Sequence, residues 1–458
     1  MSGARAWALS PLDGRYGERL APLGAYFSEL ALVRARVRVE VAHARALDAL
    51  GLFSPLTPDE DRRLCDLADG FGEEAFAAVK AIEAETRHDV KAVELYLREG
   101  AALREPNRLH FALTSEDVNN LAYSTLFSAY LREQQLPALG AVLRALITWA
   151  RDTASAPFPS RTHGQPATPT TFGKELAVYV ERLGRCHRVL SGLRLSGKLN
   201  GATGTHGAAT AAAPQVDWRA YEKRLVEGLG LELNPISTQI EDHDSWARWL
   251  HESRLLSSIL VDLCRDMWMY ISNGWVVQRA RPGEVGSSTM PHKVNPIRFE
   301  NAEGNLELSS ALMAFLAEKL TRSRMQRDLS DSTVSRNVGV ALSHLSLALD
   351  EVRAGLAGVS LDRAACTRAL DATPELLAEP IMTALRLEGH PDPYAALKAL
   401  TRGRAVTGEE IAAFVAAAPM REETRQRLAA LRPTAYVGLA EQLCGDVLDA
   451  AEQALGAR

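Results

Sequence analysis

The chain has 458 residues, 47% of them hydrophobic and 24% charged, and its 52 Lys and Arg against 57 Asp and Glu leave a formal net charge of -5. That is an ordinary globular composition, and the acidic excess argues against nucleic acid as a partner, because it would repel the phosphate backbone. The length exceeds what a single hydrophobic core supports, so two or three packed units are expected.

Five cysteines, Cys65, Cys186, Cys264, Cys366 and Cys444, form no C-x-x-C pair and no zinc spacing. They fit reduced thiols in the cytoplasm. At the N-terminus the apolar stretch is interrupted by Arg5, Pro11 and Asp13, which rules out a signal-peptide core, and no uncharged run approaches the roughly 18 residues of a membrane span. Lysine is scarce, 8 residues against 44 arginines, so the position of each one carries information.

Along the chain, Pro and Gly cut the segment before about Phe111 into short helical pieces. From Ser115 to about Thr153 the pattern is helical, with an N-cap sequence at Thr114-Ser-Glu-Asp117 and a bend expected at Pro137, which lacks an amide donor. From Asp242 to about Arg279 there is no proline, and Trp246, Trp249, Ser253, Leu256, Leu260, Leu263, Met267, Tyr270, Gly274 and Val277 recur at spacings of three and four. That spacing predicts one packed helix on the order of 50 Å long. A second seam runs through Val338, Leu342, Leu345, Leu349, Val352 and Leu356, and beyond Leu361 the pieces are short again. Strand signals are sparse. The expected class is all-α with three helical domains: an N-terminal domain over 1–111, a central long-helix bundle over 112–360, and a C-terminal domain over 361–458. Apolar seams of this length need neighbours, and packing between subunits supplies them, so a homo-oligomer is expected.

Five polar words interrupt this pattern. The loop 280–298 holds three prolines, two glycines, Ser287, Ser288, Thr289, His292, Lys293 and Asn295 without helical period. A structureless stretch of that length inside a compact domain is usually functional, and Gly286 lets backbone approach a ligand closely. Ser160-Arg-Thr-His-Gly-Gln-Pro-Ala-Thr-Pro169, Arg87-His88-Asp89, His110 to Asp117 and Gln326 to Arg336 are the others. Taken singly each has a structural reading: His163 as a hydrogen-bonded histidine, Thr114 and Ser115 as caps, the last word as a surface charge ladder.

Their order and identity say more. Gly286-Ser-Ser-Thr-Met-Pro-His-Lys-Val-Asn-Pro296 resembles the signature loop of the fumarase/aspartase superfamily. With Ser160 to Pro169, His88-Asp-Val-Lys-Ala-Val-Glu94, Thr114-Ser-Glu-Asp117 and Gln326-Arg-Asp328, the chain is similar to the adenylosuccinate lyase family in its longer bacterial form, from Ser10-Pro-Leu-Asp-Gly-Arg-Tyr16 to the C-terminal domain. The resemblance implies a homotetramer whose long helices form its core, in the cytoplasm. It implies purine biosynthesis through release of fumarate from adenylosuccinate, giving AMP, and from SAICAR, giving AICAR. It makes His163 the general acid and Ser287 the general base. Around them it implies substrate contacts from Arg15, Tyr16, Arg87, His88, Asp89, Thr114, Ser115, Gln239, Ser288, Lys293, Val294, Asn295, Asn301 and Arg327, and from Ser332, Thr333, Val334, Ser335 and Arg336. Glu300, by a weaker carry-over, orients His163. Arg87 departs from the pattern, since Asn is expected before His-Asp.

The chemistry has its own demands. A base must take a weakly acidic proton beside a carboxylate, placed donors must receive the charge that spreads there, and an acid must protonate the departing nitrogen. Serine needs its alkoxide stabilised by loop amides and Lys293 to serve as base. No metal or organic cofactor is implied, since H-E-x-x-H, P-loop and clustered Cys/His are missing from the sequence. The nearest alternative is a sibling lyase acting on argininosuccinate, aspartate or malate, and the next is a non-catalytic helical scaffold. A serine hydrolase is weaker still, for want of a G-x-S-x-G elbow.

Overall fold

A computed structural model describes residues 7–279, 290, 293–401 and 406–456. Helix dominates them, and their eight strands are two or three residues long, paired as four two-stranded ribbons. Among the described residues no helix is long and apolar enough to cross a membrane. The chain divides into two compact units, one of Met1–Ala138, Cys186–Ser258 and Gly304–Ala348, the other of Leu139–Arg185, Ile259–Glu303 and Leu349–Arg458.

In the first unit the helix Glu29–Ala46 turns Val33, Val37, Val41 and Ala44 into a core with Leu64, Val79, Val93 and Leu97. The helical stretch expected from Ser115 forms, and in place of the expected bend at Pro137 the structure shows a widened turn just ahead of it. Helix Ser115–Tyr130 passes through a π-type segment, Leu131–Gln135, into Leu136–Asp152. The wide turn lies just ahead of the proline, where the i to i−4 ladder would lack a donor and clash with the ring. Its last residue is put to use: Gln135 accepts the Trp249 indole N–H at 2.8 Å and donates to Ser253 Oγ at 2.8 Å. The Trp246 indole donates to Ser124 Oγ at 2.9 Å. A buried tryptophan normally finds a partner for its N–H, and these two fix the seam against the 115–130 helix and the π-type segment that follows it.

The long seam forms the helix Asp244–Ser272, with Trp246, Trp249, Leu256, Leu260, Leu263 and Met267 all buried. It stops short of the expected Arg279. Gly274 has φ +72, its amide bonds Ile271 O at 3.0 Å, and the Trp275 amide bonds Tyr270 O at 3.0 Å. That is a Schellman cap, which a left-handed glycine makes inexpensive. Val277, at a helical spacing in the sequence, lies instead in the strand Val276–Gln278, antiparallel to Val359–Leu361. The second seam matches the helix Val338–Ala357, and all six of its apolar residues are buried. In the second unit the shorter C-terminal helices enclose a core of their own around Ile381, Leu385, Ile411 and Val415.

Candidate active site

The start of the 115–130 helix organises one cluster of candidate residues in the first unit. Thr114 and Ser115 are half-buried there, and the Asp117 carboxylate accepts the Thr114 amide at 2.8 Å. The same carboxylate takes the amides of Asn200 at 3.2 Å and Gly201 at 3.2 Å and the Lys198 ammonium at 2.9 Å, with both side chains fully buried. Asp117 is thus saturated, as a buried charge must be. Its neighbour Glu116 is also buried and, among the described residues, its carboxylate meets only the Arg327 guanidinium, Oε2 to Nη2 at 3.3 Å. Burial pushes the Glu116 carboxyl up to about 7, against the opposing pull of the Arg327 charge. Arg327 lies with its Nη1 3.3 Å from Gln239 Oε1 and its Nε 3.9 Å from Asp331 Oδ2. Two residues expected separately in the sequence, Gln239 and Arg327, therefore meet.

A second cluster gathers Asp89 and Arg336. His88 caps the helix Asp89–Ala101, its Nδ1 accepting the Lys91 amide at 3.2 Å, and Arg87 before it is exposed and left-handed at φ +54. Asp89 accepts from Arg36 at 2.8 Å and has Arg336 3.8 Å away. Its burial would raise the carboxyl, but the Arg36 charge and the Val90 amide outweigh that and hold it below its ordinary range. Arg336 borders two cavities. One of about 310 Å3 is lined by Arg36, Asp89, Tyr123, Phe127 and Ser335 among others, and one of about 410 Å3 by Ser10, Asp13, Gly17, Phe27 and Ser343 among others. Arg15 and Tyr16, between the lining residues Asp13 and Gly17 in sequence, stack with the guanidinium carbon 5.8 Å from the ring centre. Within the short helix Ser330–Ser335, Ser332 and Val334 are half-buried, Thr333 is exposed, and the buried Ser335 donates its hydroxyl to Asp331 O at 2.6 Å.

Arg36 lies outside every polar word, and His110 and Glu116 lie within one without having been given a role. His110 has Nδ1 2.5 Å from Glu40 Oε1, and although burial lowers its pKa, that carboxylate raises it further, for a net upward shift. The sequence signal for His110 is its place four residues before Thr114, while nothing local marks Arg36 or Glu40 on their largely buried helix.

The second unit holds the remaining candidates. His163 sits at the tip of a hairpin, with Arg161–Thr162 paired to Gln165–Pro166. It and Gly164 are both left-handed, at φ +54 and +75, the conformation of a two-residue type I′ turn. The sparse strand signal did not announce this hairpin, yet a His-Gly pair is a turn of that kind. The Arg161 guanidinium donates to Gly164 O at 2.9 Å and lies 5.4 Å from the centre of the Trp275 ring, so the tip is braced and the imidazole is exposed. Ser287 and Ser288, and His292 of the same loop, lie outside the described residues. Where the chain re-enters, Lys293 and Val294 are exposed, Asn295 and Asn301 are half-buried, and the Gln278 amide donates to Val294 O at 2.8 Å. Glu300 accepts the Trp268 indole at 3.2 Å.

Residues 14–307 match the model of a lyase family, and residues 323–437 match that of the adenylosuccinate lyase C-terminal domain. An adenylosuccinate lyase of Legionella pneumophila (strain Corby) is 43% identical over 445 residues, covering 95% of this chain and 97% of that one. The adenylosuccinate lyase of Escherichia coli (strain K12) is 42% identical over 441 residues, covering 94% and 97%. Among solved structures, a fumarate lyase from Mesorhizobium sp. BNC1 has a TM-score of 0.77 at 21% identity, over 94% of this chain and 97% of that one. The 3-carboxy-cis,cis-muconate lactonizing enzyme from Pseudomonas putida also scores 0.77, at 23% identity, over 95% and 97%. At those identities the likeness is one of fold. Identity above 40% across nearly the whole length of two relatives is more than fold, and the chain belongs to the adenylosuccinate lyase family of the fumarase/aspartase superfamily.

Proposed function

We propose that the protein releases fumarate from adenylosuccinate, giving AMP, and from SAICAR, giving AICAR. In each reaction a C–H and a C–N bond of the succinyl group break, a C=C bond forms, and the proton leaves by one group while another protonates the nitrogen. The elimination is redox-neutral. Ser287 takes the proton, Lys293 and the loop amides stabilise its alkoxide, and His163 protonates the departing nitrogen. Thr114, Ser115, Ser288, Val294 and Asn295 hold the succinyl carboxylates, with Gln239 and Asn301 beside them. Arg15, Tyr16, Arg87, His88, Asp89, Arg327 and the 332–336 segment serve the nucleotide end, where guanidinium groups suit phosphate. One observation carries this reading above the rest: relatives that bear the name adenylosuccinate lyase are more than 40% identical over about 95% of the chain.

The working form is a homotetramer in the cytoplasm, each subunit with domains over 1–111, 112–360 and 361–458. Separate cores around Val37 and Leu97 and around Ile381 and Val415 support distinct terminal domains. Exposed apolar side chains on the long helices, Leu255, Met269, Leu308 and Phe315, support a subunit contact that covers them. Fumarate release by the purified protein, followed by absorbance, tests the activity. Adenylosuccinate should be cleaved, and Ser287→Ala and His163→Ala should each lose at least about a hundredfold in kcat. Turnover of argininosuccinate with adenylosuccinate left intact would overturn the assignment.

A further inference from the structure

Arg327 is held in an unusual way for a cation that is to meet an anionic ligand. Its side chain is only 18% exposed, and two buried carboxyl groups and one amide surround it: Glu116 at 3.3 Å, Asp331 at 3.9 Å and Gln239 at 3.3 Å. Its Nε is buried without a hydrogen-bond partner among the described residues. The charges around it do not balance. Among the described residues, Lys198 and Arg327 supply two positive charges, and Asp117, Asp331 and Glu116 offer three negative ones. Asp117 is committed to Lys198 and to three backbone amides. Asp331 accepts the Ser332 amide at 2.7 Å and so keeps a fixed donor of its own. Among the described residues Glu116 has Arg327 alone as its close cation.

On the reading that Arg327 binds the nucleotide end of the substrate, we propose that Glu116 is a positioning residue, whose carboxylate aims the empty site's Arg327 and takes up a proton when the ligand's anion claims that guanidinium. The physical reason is competition for one cation. A buried carboxylate is tolerable only while a partner charge offsets its desolvation. Once a phosphate shares Arg327, the offset weakens, and protonation is the least costly way to keep Glu116 buried. Burial already lifts the Glu116 carboxyl to about 7, so ligand binding moves a group that is half-titrated near neutrality. The other groups that face the cluster are accounted for. Lys198 and Arg327 favour the charged Glu116, while Asp117 and Asp331 oppose it. Buried Tyr123 has its own pKa raised, chiefly by burial, and stays neutral. His243, which faces Asp331 and Arg327, is held by burial down at about 4 and stays neutral too.

The linkage has a definite sign. A carboxyl group whose pKa rises on binding favours binding at low pH, so affinity for the anion falls as pH rises through about 7. AMP, a product on this reading, serves as a probe that is not turned over. Calorimetric titration of AMP in buffers of different ionisation enthalpy at about pH 7.5 should show wild type taking up several tenths of a proton more than Glu116→Gln, a difference that cancels the titration of AMP itself. From about pH 6.5 to about pH 8.5 the AMP dissociation constant should rise about fivefold more in wild type than in Glu116→Gln. Glu116→Ala, which also loses the aiming contact, should raise KM for adenylosuccinate about tenfold and change kcat less. Equal proton uptake in wild type and Glu116→Gln overturns the proposal, and so does an unchanged KM in Glu116→Ala. Arg327→Met separates this from the underlying reading. If Arg327→Met raises KM while both Glu116 variants behave as wild type, only the role of Glu116 fails, whereas an unchanged KM in Arg327→Met removes Arg327 from the site and both ideas with it.

Discussion

At the scale of single residues, the same side chain takes opposite roles according to what surrounds it. His43 is buried, with Nε2 3.0 Å from Phe111 O and Nδ1 2.7 Å from the Tyr221 hydroxyl. A carbonyl can only accept, so Nε2 carries the proton and Tyr221 donates to Nδ1, which leaves no room for a second proton. Burial drives its pKa down to about 3, and His243 falls for the same reason to about 4. A histidine depressed in the folded state and ordinary in the unfolded one gives full stability above about pH 6.5, and that stability is lost as pH falls toward the folded value, by up to about 1.4 kcal/mol per pH unit for each group. Urea unfolding should therefore show a plateau above neutrality and a decline between about pH 6.5 and about pH 4, and His43→Asn should make that decline shallower. A decline of equal slope in the variant would assign the acid sensitivity to other groups. None of this was legible in the sequence, where His43 and His163 are both single histidines. His163 stood out only because its neighbours spell a recognisable word. Glu116 and Asp117 are likewise adjacent letters, and which of them meets Lys198 depends on a segment some eighty residues further on.

At the scale of elements, periodicity located the helices well and their ends less well. The seam through Trp246 and Met267 was read correctly because a buried helical face repeats every three to four residues whatever lies around it. Its end was misplaced because Val277 continues the spacing by chance and serves a ribbon, whereas Asn273-Gly274 was the real stop signal. Two-residue strands leave no alternation to detect, and the hairpin that presents His163 was missed for that reason. What anchors that hairpin is a close approach of backbones. The segment leaves the 136–152 helix and returns at Phe172, where the Phe172 amide bonds Ala156 O at 3.0 Å and the Gly173 amide bonds Thr153 O at 3.0 Å. A Cβ on Gly173 would lie 2.3 Å from Ala150 O and 2.6 Å from Ala154 Cα, both rigid backbone. Gly173→Ala must then push the two helix ends apart and shift the strands that carry His163. It should cost about 1–3 kcal/mol of stability and lower kcat through misplacement of the imidazole, with binding of AMP less affected. Thermal unfolding and kcat measured together check this, and a variant with wild-type kcat would show that the hairpin tolerates the shift.

At the scale of the whole molecule, the net charge of -5 argues against a polyanion and says nothing about a small anion met by a few gathered cations. The candidate residues are spread over more than three hundred positions. Arg15, Asp89, Thr114, Gln239, Arg327 and Arg336 belong to one compact unit, and His163, Lys293, Asn295 and Asn301 to the other. Helices as long as Asp244–Ser272 and Ile297–Leu320 separate chemistry-bearing words along the sequence, and a homotetramer offers a way to reunite them from different copies. If acid and base of one site come from different subunits, inactive parents can complement each other. In a random mixture of equal parts His163→Ala and Ser287→Ala, each of the two residues is wild type at half of the sites. About a quarter of the sites should then be whole, and activity should recover to about a quarter of wild type. If each site draws both residues from one subunit, no site in any mixture is whole. Subunit exchange verified by native mass spectrometry, followed by the fumarate assay, distinguishes the two arrangements, and inactivity of verified mixed tetramers would place His163 and Ser287 of each site in a single chain.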